Sequence, residues 1–434
     1  MKNFYVIVIL ILSYFFVSKA DTLFDTFSLL NKETIPAEQN KIISEIMKTK
    51  PSYDDVTKVI AAISYAEPQK RGLIRASRKS LDSIDRHYFC YIPQNYSITK
   101  PTQLIVWLHG GVTSERIMEL DEKNIKETMF AKYAEKTGAI LLYPLAQKNA
   151  TWWDDVGLDT IFSTIRQTKL DYNIDDNRIF LMGFSDGSSG TFGIAMLNPN
   201  PFAAFIPLNG HPAALSILGG YHTYLVNLSN RPLHVVTTDN DELFPDKVLR
   251  TIMGAAVMAG AQIHYKMYTN MRHELLYAEK EVPHIITFIE THIRDPFPTT
   301  IRWETADPVY GQCMWLRIDE IGKSGHASWY EDYTIKEETG RILFRRDKPS
   351  ARLEATYLGN TFFLMGSQCN RFTLFIHPAM VQMDQPVVVY YNNEKVFEKI
   401  LQPDIEFVLR NFIRNRDKSL LYCTRITIDT EMKH

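Results

Sequence analysis

The sequence predicts an α/β protein: a doubly wound, mostly parallel sheet followed by a C-terminal all-β, sandwich-like domain. Three observations lead there. Short, continuously apolar runs at 104–108, 139–143, 179–182, 205–208, 233–236 and 263–268 alternate with helical segments, as strands covered by helices on both faces do. Beyond Pro296 helical periodicity nearly disappears, and strand-like segments at 300–305, 313–318, 372–376, 386–391 and 421–428 are punctuated by the turn signals Gly359-Asn360 and Asn392-Asn393. Finally, 434 residues exceed what one hydrophobic core usually occupies.

Taken in order, residues 1–20 read as a cleavable secretory signal. Lys2 carries positive charge, residues 4–17 are almost wholly apolar, and Ser18-Lys19-Ala20 places small residues where a signal peptidase reads. The apolar run is shorter than the roughly 20 residues a spanning helix needs, and no later stretch can span a membrane. Export to a secreted or periplasmic location follows, with no membrane attachment after cleavage.

Residues 21–85 read as a helical extension. Ser52 and Asp55 have capping-box spacing, and Val56, Val59, Ile60 and Ile63 share one helical face. A helix over 37–48 pairs with it, forming a hairpin that cannot bury its apolar face alone and is expected to pack on the domain that follows. The doubly wound domain spans 86–295, with amphipathic helices marked by Leu158, Ile161, Phe162 and Ile165 and by residues 246–259. Pro296 and Pro298 mark the linker to the β-rich domain at 297–434, where one helix, about 404–415, interrupts the strands.

Composition excludes several functions. Lys and Arg total 48 against 50 Asp and Glu, with no long block of like charge, so neither a nucleic-acid groove nor a polybasic membrane patch is indicated. Cys90, Cys313, Cys369 and Cys423 show no C-x-x-C spacing, which removes zinc ribbons and thioredoxin-type motifs. One bridge among the last three and four buried thiols are both open. Asn95, Asn149 and Asn227 begin N-x-S/T sequons. There is no H-E-x-x-H, and the glycines of 183–190 are not followed by a phosphate-loop Lys-Ser/Thr, so no metal or nucleotide cofactor is implied. Nothing points to an oligomeric state.

The sharpest chemical feature is Gly183-Phe184-Ser185-Asp186-Gly187, placed after an apolar strand and before a segment that can be helical. A G-x-S-x-G turn in that context presents a nucleophilic serine at the carboxyl end of a sheet. Serine needs a base, and the base an orienting acid. After the run at 233–236 come Asp239, Asp241 and Glu242. Asp241 is preferred because Pro245 starts a helix and leaves it at the loop tip, with Asp239 the alternative. His273 lies in the loop after the run at 263–268, whereas His264, His284 and His292 sit in a strand or helix. The oxyanion needs two backbone N–H donors: Asp186, and Gly111 or Val112 in His109-Gly110-Gly111-Val112, with Gly111 preferred. Trp152, Trp153 and His211 belong to loops expected near Ser185 and are the candidates for substrate contact, with packing beneath the loop as the competing role for the tryptophans.

These motifs, together with Trp152-Trp153-Asp154 and Asp171-Tyr172-Asn173-Ile174-Asp175 leading to Arg178, resemble the α/β-hydrolase superfamily, specifically secreted esterases similar to feruloyl esterases and polyhydroxybutyrate depolymerases. The resemblance covers roughly 86–295. It implies ester hydrolysis through an acyl-serine, without a cofactor, on an ester substrate such as a plant polysaccharide acyl group. Asp186, Ser188 and Arg272 depart from the commoner pattern, in which small or neutral residues stand at those places. Two other readings compete: a serine peptidase similar to the prolyl-oligopeptidase catalytic domain, and a non-catalytic binding protein on a hydrolase fold.

Overall fold

The computed structural model describes residues 19–115, 118–322, 335–336 and 340–430. Except for its last two positions, the expected leader lies outside the described residues, as does His326 of the β-rich segment. The chain divides into two compact units, Met1–Ile63 and Ser64–His434. Among the described residues no helix is long and apolar enough to cross a membrane.

In the first unit Ser52 caps helix Tyr53–Ala61 through the reciprocal box: its hydroxyl accepts the Asp55 N–H at 3.1 Å, and Asp55 accepts the Ser52 N–H at 2.9 Å. Val56 and Ile60 are buried, as are Ile43 and Ile46 of helix Pro36–Lys48. A third helix, Lys19–Lys32, which apolar periodicity does not single out, packs on both and buries Leu23, Phe27 and Leu30. Within this unit the hairpin thus packs against a third helix that the sequence reading does not expect.

The second unit is built on an eight-stranded sheet of β1 (Gly72–Lys79), β2 (Asp85–Ile92), β3 (Thr102–Leu108), β4 (Ile140–Pro144), β5 (Ile174–Phe184), β6 (Ala204–Leu208), β7 (Leu233–Thr238) and β8 (Ile263–Tyr268), ordered β1-β2-β4-β3-β5-β6-β7-β8. β1, β2 and β4 pair antiparallel and all other neighbours pair parallel. Leu104, Val106 and Leu181 enter one buried cluster, while their neighbours Ile105, Phe180 and Met182 enter another. Successive side chains point to opposite faces, so burial of both faces is why these strands read as unbroken apolar runs. The sheet begins at Gly72, ahead of the expected boundary at 86, because its first hairpin lies at an edge where polar residues alternate with apolar ones.

The C-terminal segment forms two further sheets around their own core. β10 (Gln312–Cys313), β11 (Leu316–Ile321), β14 (Cys369–Ile376) and β17 (Thr424–Asp429) make one; β9 (Thr300–Thr305), β12 (Ala351–Leu358), β13 (Thr361–Ser367), β15 (Val387–Tyr391) and β16 (Glu394–Lys399) make the other. The expected turns join β12 to β13 and β15 to β16, with Gly359, Asn392 and Asn393 at positive φ. β13 and β15 pair parallel, an exception to the antiparallel pattern. Asp404 caps helix Ile405–Asn415, accepting the Phe407 N–H at 3.0 Å.

Buried polar contacts tie these sheets to the first. The Arg294 guanidinium holds both oxygens of Asp417, at 2.7 and 3.0 Å, and also Asn177 Oδ1. Lys169 reaches Asp176 at 2.7 Å, and Asp176 in turn accepts the Lys418 N–H at 2.7 Å. Asn227, inside one of the sequons, is fully buried: its amide donates to the Met196 and Glu304 carbonyls and accepts the Glu304 N–H. All four cysteines are buried and unbridged, and burial pushes the Cys369 thiol up to about 12.

Candidate active site

Ser185 stands between the end of β5 and helix Asp186–Leu197, at φ 60° and ψ −123°. A non-glycine residue there stores about 1–3 kcal/mol of strain, and the surroundings enforce it. The Ser185 N–H donates to the Leu208 carbonyl of β6 at 3.1 Å. The flanking glycines close the turn: a Cβ on Gly187 would lie 2.0 Å from the Leu108 carbonyl oxygen, and one on Gly183 would lie 2.4 Å from the Gly187 backbone. This is the physical reason for glycine at both ends of the motif.

The Ser185 hydroxyl lies 2.8 Å from His273 Nε2, and His273 Nδ1 lies 2.8 Å from Asp241 Oδ2. With Nδ1–H donating to the carboxylate, Nε2 is left to accept the hydroxyl proton. Phe184 stacks on the imidazole at a centroid distance of 4.9 Å, and Phe244 meets it edge-on at 5.4 Å. The structure thus brings together the three residues expected from the order Ser, Asp, His along the chain.

Asp241 is held on both oxygens. Oδ1 accepts the Leu243 and Phe244 N–H groups at 3.0 and 2.8 Å, and Oδ2 accepts Asn209 Nδ2 at 2.9 Å besides His273. Burial alone would raise its pKa, but the hydrogen bonds from His273, Asn209 and the Phe244 N–H outweigh that and hold the carboxyl below its ordinary range. Asp239, the alternative acid, is exposed and accepts the Met271 N–H at 3.3 Å. His264, His284 and His292 gather with His234 around the starting ends of β7 and β8, the opposite end of those strands from Asp241 and His273.

On the oxyanion side, Asp186 opens the helix, so its N–H has no acceptor within the helix. The N–H of Val112, one of the two expected loop donors, is engaged by the Asp186 carboxylate at 3.0 Å. Gly111 has φ +70°, and space beside its α-carbon is open to 4 Å. His109 braces the loop. Its Nε2 accepts the Ala146 N–H at 3.0 Å and Nδ1 bonds the Gly110 carbonyl at 2.7 Å, and burial lowers its pKa.

Trp152 is not a substrate contact. It is fully buried, its indole N–H donates to the His109 carbonyl at 2.8 Å, and it packs beside Gly190. The loop turns Trp152 inward because that carbonyl needs a donor and the core needs its volume, while Trp153 is half-buried. His211 lines a cavity of about 590 Å³ with Leu243, Phe244, Val248, Ile335 and Leu343, and its Nδ1 accepts the Ala213 N–H at 3.1 Å. A larger apolar cavity, about 810 Å³, lies against Ile105, Leu141, Met182 and Tyr277, and Ser185 is not on its wall. The sequence reading missed Asn209 and Tyr277: the Tyr277 hydroxyl donates to Asn209 Oδ1 at 2.7 Å. No linear motif marks either residue, since 68 positions separate them.

No protein-family profile matches the sequence. Curated relatives include a bifunctional acetylxylan esterase/xylanase of Neocallimastix patriciarum, 32% identical over 128 residues, which are 29% of this chain and 18% of that protein. Acetylxylan esterase A of Emericella nidulans is 29% identical over 137 residues, 29% of this chain and 42% of the relative. A probable feruloyl esterase C of Aspergillus flavus is 30% identical over 130 residues, 29% and 47% of the two chains. The chain therefore spans less than half the length of these relatives. Among solved structures, a thermostable esterase superposes with a TM-score of 0.43 at 21% identity over 51% of this chain and 64% of that one. Esterase 2 of Thermogutta terrifontis gives 0.40 at 15% identity over 51% and 96%. With its mostly parallel eight-stranded sheet and the serine turn after β5, the chain has an α/β-hydrolase fold, and in sequence it resembles acetylxylan and feruloyl esterases.

Proposed function

We propose that the protein is a secreted serine carboxylic-ester hydrolase using Ser185, His273 and Asp241. The observation that carries this reading is the continuous chain of two 2.8 Å hydrogen bonds linking the three side chains. Ser185 Oγ attacks the ester carbonyl carbon as its proton passes to His273 Nε2, and Asp241 stabilises the imidazolium that results. The Gly111 and Asp186 N–H groups receive the oxyanion, a contribution of about 3 kcal/mol per donor in related chemistry. Collapse of the tetrahedral intermediate breaks the carbonyl–alkoxy bond, and the alcohol leaves with the proton held on Nε2. Water activated by the same imidazole then releases the acid and restores Ser185. Each proton is accounted for by His273, so the cycle needs no metal or organic cofactor.

The proposed substrate is an acyl ester on a plant polysaccharide, the class suggested by the names of the acetylxylan and feruloyl esterases. In this reading Trp153 and His211 are the substrate contacts at the mouth of the site, and residues 297–434 carry no catalytic group. Secretion rests on the leader-like sequence of residues 1–20. The test is a panel of acetyl, feruloyl, long-chain acyl and peptide substrates on native protein and on Ser185→Ala. Ester turnover lost in the variant supports the reading. Peptide cleavage without ester cleavage would replace it with a peptidase, and absence of fluorophosphonate labelling would leave only a binding role. Within the triad, Asp241→Asn should cut turnover by orders of magnitude and Asp239→Asn should be mild.

A further inference from the structure

Asn209 follows β6 in the left-handed backbone region, at φ 47°, and is fully buried. Its own N–H donates to the Val236 carbonyl of β7 at 2.9 Å. The side chain has three partners: Nδ2 donates to Thr238 Oγ1 at 2.7 Å and to Asp241 Oδ2 at 2.9 Å, while Oδ1 accepts the Tyr277 hydroxyl at 2.7 Å. Tyr277 is itself buried and stacks on Tyr268 at 5.0 Å. A reversed amide would set its one oxygen against Asp241 Oδ2, so the acid fixes which end of the amide faces it, and the Tyr277 hydroxyl, donating to Oδ1, holds the amide from its other end.

We propose that Asn209, held by Tyr277, is a positioning residue that selects the carboxylate oxygen Asp241 presents to His273. The proposal rests on the triad reading above. Oδ1 is tied to two backbone N–H groups, whereas Oδ2 without Asn209 would have His273 alone, so no group fixed in the core would set the position of the oxygen that meets the imidazole. The amide supplies a second fixed donor to Oδ2 and sets the plane in which Nδ1–H must approach. It acts only through Asp241 and touches no reacting atom.

Asn209→Asp gives a signature that mere structural support would not. The introduced carboxyl would face Asp241 at hydrogen-bond distance, and two carboxyls there share one proton well above the ordinary carboxylate range. While that proton is held, the new group donates to Oδ2 as the amide does; once it is lost, two like charges meet. Turnover should therefore persist in the acid range and fall along a new alkaline limb that the native enzyme lacks. Asn209→Ala should lower kcat on the order of 10- to 100-fold, the range of one hydrogen bond to a charged group, with KM within about twofold, and Tyr277→Phe should lower it less.

Rates are normalised to enzyme titrated with a fluorophosphonate, so that loss of folded protein does not register as loss of kcat. If Asn209→Ala does not fold, the isosteric Asn209→Asp variant decides. A native pH profile in Asn209→Asp, or a native kcat in Asn209→Ala, overturns the proposal. Retained hydrolysis in Ser185→Ala would instead overturn the triad reading, so the two failures are distinguishable.

Discussion

Asp186, the residue after the nucleophile, holds Val112 by accepting its backbone N–H at 3.0 Å. Its own N–H and that of Gly111 are the proposed oxyanion donors, so one residue both supplies a donor and fixes the loop that supplies the other. The acidic residue that departs from the commoner pattern thus has a mechanical role. Asp186→Ala should reduce kcat about tenfold while leaving KM for a small acetyl ester nearly unchanged, and Asp186→Asn, which keeps an acceptor oxygen, should recover most of the loss. Equal activity in the two variants would count against the clamp.

Strain at Ser185 makes stability and activity move in opposite directions. At φ 60° and ψ −123°, glycine is at ease and a Cβ is not. Ser185→Gly should be inactive yet more stable than Ser185→Ala, by roughly 1 kcal/mol, measured as a higher urea midpoint. The opposite order would mean the turn is unstrained.

The adjacent tryptophans should separate cleanly. Trp152→Ala removes a fully buried ring and its bond to the His109 carbonyl, so it should cost about 3–5 kcal/mol of stability. Trp153→Ala should leave stability nearly intact and raise KM for a large acyl ester more than for an acetyl ester. Equal KM changes on both substrates would assign Trp153 to packing as well.

How much of this was legible follows from which strands are buried. β3 to β7 announce themselves because apolar residues fill consecutive positions, but β1 and β16 lie at sheet edges, and GLIRASRK and EKVFEK carry charge on their open faces. Apolar continuity finds strands buried on both faces and passes over those with one open face, interior β12 and β13 included, where burial alternates along ARLEATYL and TFFLMGS. Ser185, Asp241 and His273 were readable because each follows the end of a strand in a fixed order. Asn209 was not, because its role comes from a sheet register that places β6 beside β7. The inward turn of Trp152 depends on a carbonyl 43 positions away, which adjacency in sequence cannot indicate.

Stability should weaken in mild acid through His377. Its ring stacks on Phe297 and its Nδ1 accepts the Ala379 N–H, and burial lowers its pKa to about 4. The unfolded imidazole titrates near 6.5, so between the two values the unfolded chain binds the extra proton and folding stability falls as pH drops. Above about 6.5 the group contributes no slope. His377→Gln cannot take up that proton, so its urea midpoint should fall less than the native one between pH 7 and 4.5. Parallel curves would show that another group governs this window.

The β-rich segment should not be removable. Deleting 297–434 would strip Asp417 from Arg294 and leave a guanidinium buried without its carboxylate, and breaking such a pair costs about 3–5 kcal/mol. The truncated chain should be insoluble or lack a cooperative thermal transition. Asp417→Ala in the full chain should lower the melting temperature while leaving KM unchanged in whatever folded enzyme remains. A soluble, cooperative truncate would show the segment to be independent.

The buried amide of Asn227 bears on how the protein can be made. An oligosaccharide is added to Asn-x-Ser while the chain is still extended, and a sugar on this nitrogen would have to occupy the place of the Met196 and Glu304 carbonyls. In a eukaryotic secretory host, modified chains should therefore accumulate as misfolded material, whereas a bacterial host avoids the conflict. Ser229→Ala removes the acceptor sequence and keeps Asn227 with all its partners, at the loss of one hydroxyl bond to the Val226 carbonyl, which makes it the substitution to choose for yeast or insect-cell production.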